Sequence, residues 1–145
     1  MDKALNYLSL ARKAGRAELG EEPTGAAARA GKACLIAVAR DASDHTWRRA
    51  QSFAAGTEQQ CLRVPYTKDQ LGQAIGRSEL ALAAFTDPAM ALGFLKALEP
   101  NKAYDEAMDV LTRRTGRVRQ RRSEEKAHLR NKRQGKAHRD GQKQS

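Results

Sequence analysis

The stretch that decides the fold of this chain joins a strand end to a helix start and a helix stop: Val64-Pro65-Tyr66-Thr67-Lys68-Asp69-Gln70-Leu71-Gly72-Gln73-Ala74-Ile75-Gly76. Thr67 and Gln70 have the spacing of a capping box, in which each side chain satisfies a backbone N–H of the other residue. Gly76 is a helix stop, since glycine readily adopts the left-handed conformation that ends helices. The segment therefore predicts a strand over 60–64 followed by a short helix closed at Gly76.

The same alternation continues on both sides of this segment. Apolar runs at 33–39 and 79–85 predict strands buried on both faces. Helical patterns predict helices over about 3–14, from 20 to 31, over about 44–55, and from Asp87-Pro88 to Leu98, with a short strand at 16–19. Strands that alternate with helices imply a sheet covered on both faces. We expect an α/β domain over 1–100.

The chain after Pro100 has a different composition. Residues 1–100 carry 13 Lys/Arg against 11 Asp/Glu, whereas residues 101–145 carry 14 against 6. One more amphipathic helix fits residues 102–113, and the rest of this basic C-terminal extension is expected to be disordered or partly helical. Excess positive charge in one segment indicates an anionic partner, and nucleic acid is the commonest one.

Other classes of function are less well supported. No apolar run approaches the roughly 20 residues of a membrane-spanning helix, so we expect no membrane partner and a cytoplasmic protein. Cys34 and Cys61 lie in predicted strands and fit free thiols. Asp44 and His45 fit a helix start better than a metal site. No nucleophile motif or phosphate-binding glycine loop is present, so we expect no enzyme activity, no catalytic residue, no metal, no cofactor and no small-molecule substrate.

Five segments together resemble the ribosomal protein L-seven-Ae/L-thirty-e superfamily of kink-turn RNA-binding proteins, in its bacterial YlxQ-like branch. They are Leu8–Arg16, Gly20–Glu22, Leu35–Ala37, Arg40–Ser43 and Val64–Gly76. The resemblance covers about residues 3–98. It implies a three-layer α-β-α sandwich with a four-stranded mixed sheet, a ribosomal-protein-like RNA-binding function and binding through one end of the sandwich.

The resemblance also implies where RNA would lie. Kink-turn-binding proteins contact RNA through the turn after the first strand, the start of the next helix and the loop before the last strand. In this chain, the loop before the last strand is Arg77-Ser78-Glu79. Kink-turn-binding proteins carry an Asn–Glu pair and a Lys where this chain has Glu22, Pro23 and Ala26. With the densest basic patch of the tail, the predicted RNA-binding residues are Gly20, Glu21, Glu22, Lys32, Arg40, Arg77, Arg113, Arg114, Arg117, Arg119, Arg121 and Arg122.

We expect the chain to be a monomer. Its expected partner is ribosomal RNA or another structured RNA, and the ribosome itself is a possible partner. Arginines in a flexible arm are expected to contact phosphates, which position a complex, more than bases, which specify it. Two alternatives stay open at this point. One is a protein-interaction adaptor with a solvated basic tail, and the other is a non-specific nucleic-acid binder.

Overall fold

A computed structural model describes residues 2–142, with backbone only for 132–142. Residues 143–145 of the predicted extension lie outside the described residues. The elements in chain order are α1 Lys3–Lys13, β1 Ala17–Leu19, α2 Glu21–Arg29, β2 Leu35–Val38, α3 Asp44–Ala54, β3 Gln60–Arg63, α4 Lys68–Ala74, β4 Leu82–Phe85, α5 Pro88–Lys96, a 3-10 turn Lys102–Tyr104, and α6 Asp105–Gln142.

The four strands form one mixed sheet in the order β1-β4-β2-β3. β4 is antiparallel to both of its neighbours, and β2 and β3 are parallel. The units β1-α2-β2 and β2-α3-β3 both cross the sheet in the same direction, and such crossovers are almost always right-handed. Accordingly α2 and α3 pack together, while α1 packs with α4 and α5. The predicted three-layer sandwich with a four-stranded mixed sheet is confirmed.

The core lies along the two central strands. Every residue of β2 and β4 is buried, as the continuous apolar runs predicted. The rings of Phe85 on β4 and Phe94 on α5 lie 5.1 Å apart between centroids and tilted by 42°. Such tilted aromatic pairs add to the stability that buried area alone supplies. This packing fixes the sheet between its two helical layers.

Helix caps set where the helices begin. The predicted capping box is present, with Gln70 N–H donating to the Thr67 hydroxyl and Thr67 N–H donating to the Gln70 side chain. Ser43 caps α3 by accepting from the Thr46 N–H at 3.1 Å. Asp44, which we expected at the helix start, is the first residue of α3 and directly follows this cap. The shorter serine side chain therefore sets the start of α3.

The compact unit continues to Thr112, beyond the boundary expected at residue 100. Tyr104, Ala107 and Leu111 are buried, so the first turns of α6 belong to the core of this unit. The second unit, Arg113–Ser145, is helical as far as Gln142. We expected this segment to be disordered or partly helical. Its composition favours the helix, because arginine, lysine, glutamine and glutamate are all good helix formers. An (i, i+4) hydrogen bond from Gln120 to Glu124 at 3.1 Å adds local support.

Candidate nucleic-acid interface

One end of the sheet collects the segments that the sequence analysis singled out. β1, β2 and β3 finish at this end, β4 begins there, and we call it the carboxyl end. The Gly20 N–H donates to the Leu82 carbonyl at 3.0 Å, and the Ala39 N–H donates to the Ala81 carbonyl at 2.8 Å. The turn after β1, the loop after β2 and the loop before β4 are therefore direct neighbours.

The turn between β1 and α2 is shaped by one glycine. Gly20 has φ of 92° and ψ of 173°, a conformation that residues with a Cβ rarely adopt. α2 follows at once, with Glu21 and Glu22 in its first turn. Carboxylates at this position interact favourably with the positive pole of the helix. The two carboxylates therefore provide the negative charge that the start of α2 favours.

The Glu21 side chain is held by a residue that the sequence analysis missed. Its Oε1 atom lies 2.8 Å from Nε of Arg49 on α3, with about 40–50% of each side chain exposed. The Arg49 guanidinium also lies 5.7 Å from the centroid of the Phe53 ring. Partial exposure keeps this ion pair weak. It nevertheless orients one carboxylate of the turn toward α3 and leaves exposed Glu22 facing solvent.

Arg63, at the end of β3, organises the loop that carries Arg40. One Arg63 nitrogen donates to the carbonyls of Arg40 at 3.0 Å and Ala42 at 3.3 Å. Its guanidinium lies 4.9 Å from the centroid of the Trp47 ring on α3. This role of Arg63 was not among the sequence predictions.

The loop before β4 depends on a close approach to α4. A Cβ on Gly72 would lie 2.6 Å from Cα and 2.7 Å from N of Glu79, and 2.9 Å from the carbonyl oxygen of Arg77. Only a glycine lets the loop backbone come this near. The Leu80 N–H also donates to the Lys68 carbonyl at 2.9 Å. The exposed residues 77–79 are thus held against the start and middle of α4.

The structure brings together five of the six domain residues predicted to bind RNA, and it separates the sixth. Gly20, Glu21, Glu22, Arg40 and Arg77 all lie at the carboxyl end. Lys32 precedes β2, whose first residue Leu35 pairs with Phe85, the last residue of β4. Lys32 therefore lies at the opposite end of the sheet. The prediction that it belongs with the others was wrong, because α2 carries the chain from one end of the sheet to the other.

The predicted tail residues all lie on α6. They are Arg113, Arg114, Arg117, Arg119, Arg121 and Arg122, and all except half-buried Arg114 are exposed. These arginines make the second unit a basic helix.

The described residues offer little for other chemistry. Burial raises the pKa of the half-buried Cys61 thiol to about 12, so it is protonated and weakly nucleophilic at neutral pH. Cys34 is buried. Among the side chains described, those of residues 2–131, no set of three or more His, Cys, Asp or Glu is grouped as a metal site. Within residues 2–142, no helix combines the length and apolarity needed to cross a bilayer.

The sandwich, its strand order and the loops of its carboxyl end define the class as the L-seven-Ae-type α-β-α fold. A protein of unknown function from Bacillus halodurans C has the same fold, with a TM-score of 0.62 and 25% identity over 67% of this chain and 97% of that one. The Giardia lamblia 15.5kD RNA binding protein matches with a TM-score of 0.56 and 17% identity, covering 66% of this chain and 81% of that one.

One relative of similar sequence indicates which branch of this superfamily the chain belongs to. The RNA-binding protein YlxQ of Enterococcus faecium is 35% identical over 75 residues, which cover 52% of this chain and 72% of the relative. No protein-family model matches the chain. On this relative and the shared fold, the chain belongs to the YlxQ-like branch of the L-seven-Ae superfamily, as the sequence resemblance predicted.

Proposed function

We propose that this chain binds structured RNA through the carboxyl end of its domain, with the basic helix of the tail adding phosphate contacts. The observation that carries the proposal is its 35% identity to a protein named for RNA binding. The convergence of the β1–α2 turn, the Arg40 loop and residues 77–79 at one end supports the same surface. Ribosomal RNA is the first candidate target, and a kink-turn is the second.

The charges of the two parts suggest different roles. At the carboxyl end, exposed Arg40 and Arg77 are offset by exposed Asp41, Glu22 and Glu79. This end therefore has little net attraction for phosphate. The tail supplies that attraction, since contacts with phosphates dominate affinity and its dependence on salt. The domain end supplies shape and selectivity.

The side chains at the β1–α2 turn indicate how RNA recognition by this chain would differ from that of kink-turn-binding proteins. An ionised Glu22 accepts hydrogen bonds but cannot donate them. It can pair with the exocyclic amino group of an unpaired base. Pro23 adds no backbone donor, and Ala26 cannot neutralise a phosphate. We therefore expect contact with bases exposed in loops or bulges, the features that proteins usually read in RNA.

Fluorescence anisotropy with the full chain tests the proposal. Purified ribosomal RNA, a kink-turn stem and a DNA duplex are titrated at several salt concentrations. We expect the tightest binding to one of the RNAs, with a steep dependence on salt. Equal affinity for the DNA duplex would instead support a non-specific binder. Absence of RNA binding would contradict the proposal and favour the protein-interaction adaptor.

Two variants separate the domain from the tail. Arg40→Gln with Arg77→Gln is expected to reduce the preference for RNA over DNA. Replacing Arg119, Arg121 and Arg122 with Gln is expected to lower the magnitude of the log–log salt slope by about 0.7–0.9 for each phosphate that the variant no longer neutralises. Neutralisation is preferable to a cut at Pro100, which would remove buried Tyr104 and Leu111 from the core. Replacing the same three tail arginines with Lys, which keeps their charge, is the matched control.

The remaining parts of the proposal concern cellular context. We propose a monomeric, cytoplasmic, non-enzymatic protein with no cofactor, no small-molecule substrate and no membrane partner, associated with ribosomes or ribonucleoproteins. Sedimentation of a cell lysate on a sucrose gradient, with and without nuclease, tests this association. Co-sedimentation with ribosomal particles that nuclease treatment abolishes is the expected result. Association that survives nuclease would point to a protein partner instead.

A further inference from the structure

Two turns of this domain share a sequence pattern that the proposed function does not use. Lys13-Ala14-Gly15-Arg16 begins at the last residue of α1, and Arg29-Ala30-Gly31-Lys32 begins at the last residue of α2. In each turn, one cation precedes an Ala-Gly pair and a second cation follows it. We call these segments the twin turns. The first lies within a stretch that carried the family resemblance, and the second contains the Lys32 that the structure separates from the carboxyl end.

The twin turns also have the same backbone geometry. Gly15 and Gly31 have φ of 70° and 71°. The N–H groups of Arg16 and Lys32 donate to the carbonyls of Ala11 and Ala27 at 2.7 and 2.9 Å, five residues earlier in each case. This is the Schellman arrangement, which ends a helix and fixes the direction in which the chain leaves it. Equivalent cations are therefore presented in equivalent positions.

Both turns lie at the same end of the sheet, where β1, β2 and β3 begin, and we call it the amino end. The Arg16 carbonyl accepts from the Thr86 N–H at 2.9 Å, and the Cys34 N–H donates to the Phe85 carbonyl at 2.7 Å. β4 thus lies between the strands that follow the two turns. Two strand spacings amount to about 9–10 Å. The turns are close enough to contact one segment of a nucleic-acid backbone.

The amino end has an excess of positive charge over acidic side chains. All four cations of the twin turns are exposed, as is neighbouring Arg12. None of the four side chains makes a hydrogen bond or an ion pair with another described residue. Of the carboxylates near this end, Asp87 is engaged as the cap of α5, accepting from the Met90 N–H at 2.9 Å. Two more carboxylates lie near the amino end, those of Glu18 on β1 and Glu58 before β3.

The surface between the cations is open. Nothing lies within 4 Å of a Cβ placed on Gly15 or Gly31. A phosphate can therefore approach the backbone of each turn as well as its side chains. Leu10, on the last turns of α1, is 46% exposed and adds an apolar contact beside Lys13. Attraction to the negative pole of a helix accounts for a cation in the last turn, as at Lys13 and Arg29. The same attraction explains less well why a second cation follows the glycine in both turns, at Arg16 and Lys32.

We propose that the amino end is a second RNA-contact surface, in which the twin turns bind the phosphate backbone of an RNA segment apart from the one at the carboxyl end. This inference rests on the proposed RNA-binding function and extends it. The ligand class is the sugar-phosphate backbone, because every group involved is a cation or an exposed turn. The domain then contacts RNA at both ends of its sheet.

The first test is neutralisation in the full chain. The twin-turn variant carries Lys13→Gln, Arg16→Gln, Arg29→Gln and Lys32→Gln. The matched control exchanges the same cations, as Lys13→Arg, Arg16→Lys, Arg29→Lys and Lys32→Arg, and so keeps the positive charge of the twin turns. With purified ribosomal RNA, we expect the twin-turn variant to lose up to about 3 from the magnitude of the log–log salt slope, and the control to lose less than about 1. Far-ultraviolet circular dichroism checks that both variants fold.

The second test locates the contact directly and needs no substitution. The wild-type chain is acetylated with and without saturating ribosomal RNA, and modification of each lysine is measured by mass spectrometry. We expect RNA to protect Lys13 and Lys32 at least several-fold. RNA binding without protection of Lys13 and Lys32 would overturn this inference and leave the proposed function standing. No RNA binding at all would overturn both.

Discussion

Substituting Gly72 with alanine tests whether the close approach of α4 and the loop before β4 builds the carboxyl end. The new Cβ would lie 2.6 Å from the Cα of Glu79, whereas ordinary van der Waals contact begins at 3.4 Å. The loop backbone must therefore move by about 0.8 Å, the difference between these two distances. The atoms concerned belong to the backbone, so a change of rotamer cannot relieve the contact.

The expected free-energy change combines two opposing effects. Overpacking of a well-packed site costs about 1–3 kcal/mol. Alanine gains about 0.5–1 kcal/mol over glycine within a helix. We therefore expect Gly72→Ala to reduce the free energy of unfolding by about 1–2 kcal/mol, which lowers Tm by about 4–8 °C per kcal/mol in a domain of this size. Because residues 77–79 are displaced, RNA affinity should fall as well.

Urea and thermal unfolding followed by circular dichroism measure the stability, and anisotropy measures RNA binding. Gly116→Ala is the control, because it is also a helical glycine but has nothing within 4 Å of its added Cβ. This control should not lower the stability or the affinity. A Gly72→Ala variant as stable as the wild type would refute the reasoning, since it would show that the loop does not depend on this contact.

Three further variants probe contacts of the same domain. Arg63→Lys keeps the charge but loses the planar group over Trp47 and its two carbonyl bonds, so urea unfolding should show a loss of about 1–2 kcal/mol. Gln59→Leu removes the hydrogen bonds of the buried Gln59 side chain to the Ala33 N–H and the Ala28 carbonyl, and the same measurement should show a loss of about 1–3 kcal/mol. The Tyr66 hydroxyl, 2.8 Å from Asp2, is the main cause that lowers the pKa of that carboxyl. Its contribution is present above about pH 4 and lost as pH falls through the folded-state pKa, so Tyr66→Phe should flatten the acid limb of a stability–pH curve.

Local patterns predicted the elements of the fold well. The alternation of apolar runs, caps and glycine stops placed α1 at 3–14, and the structure has it at Lys3–Lys13. The capping box at Thr67 is present as expected. These features depend on residues within a few positions of each other, so sequence alone contains them. The same holds for β2, where a run of buried apolar residues has few alternatives.

Contacts between distant elements were not predictable in the same way. The pairing of Glu21 with Arg49 and the stacking of Arg63 on Trp47 depend on how α3 crosses the sheet. No local pattern encodes that crossing. The error over Lys32 was different, because its signal was available. A helix that links parallel strands returns the chain to the starting end of the sheet, so Lys32 had to lie opposite Gly20.

The direction of the helices also explains why the two ends of the sheet differ in charge. α1 and α2 both begin at the carboxyl end and finish at the amino end. Acidic residues favour helix starts and basic residues favour helix ends, because of the helix dipole. Asp2, Glu21 and Glu22 therefore collect at the carboxyl end, and the twin turns collect at the amino end. α5 runs the other way, with Asp87 at its start, but it reverses only part of this difference.

Ordinary helix chemistry, applied to helices that point the same way, thus polarises the domain. For the proposed binding of RNA this has a definite consequence. The end with the loops best placed to read RNA is the end with little net attraction for it, and attraction must come from elsewhere in the chain. The basic helix of the tail supplies one source, and the twin turns supply a second source within the domain. If only the tail variant changed the salt slope, attraction would come from the tail alone, and the charge of the amino end would reflect helix stability only.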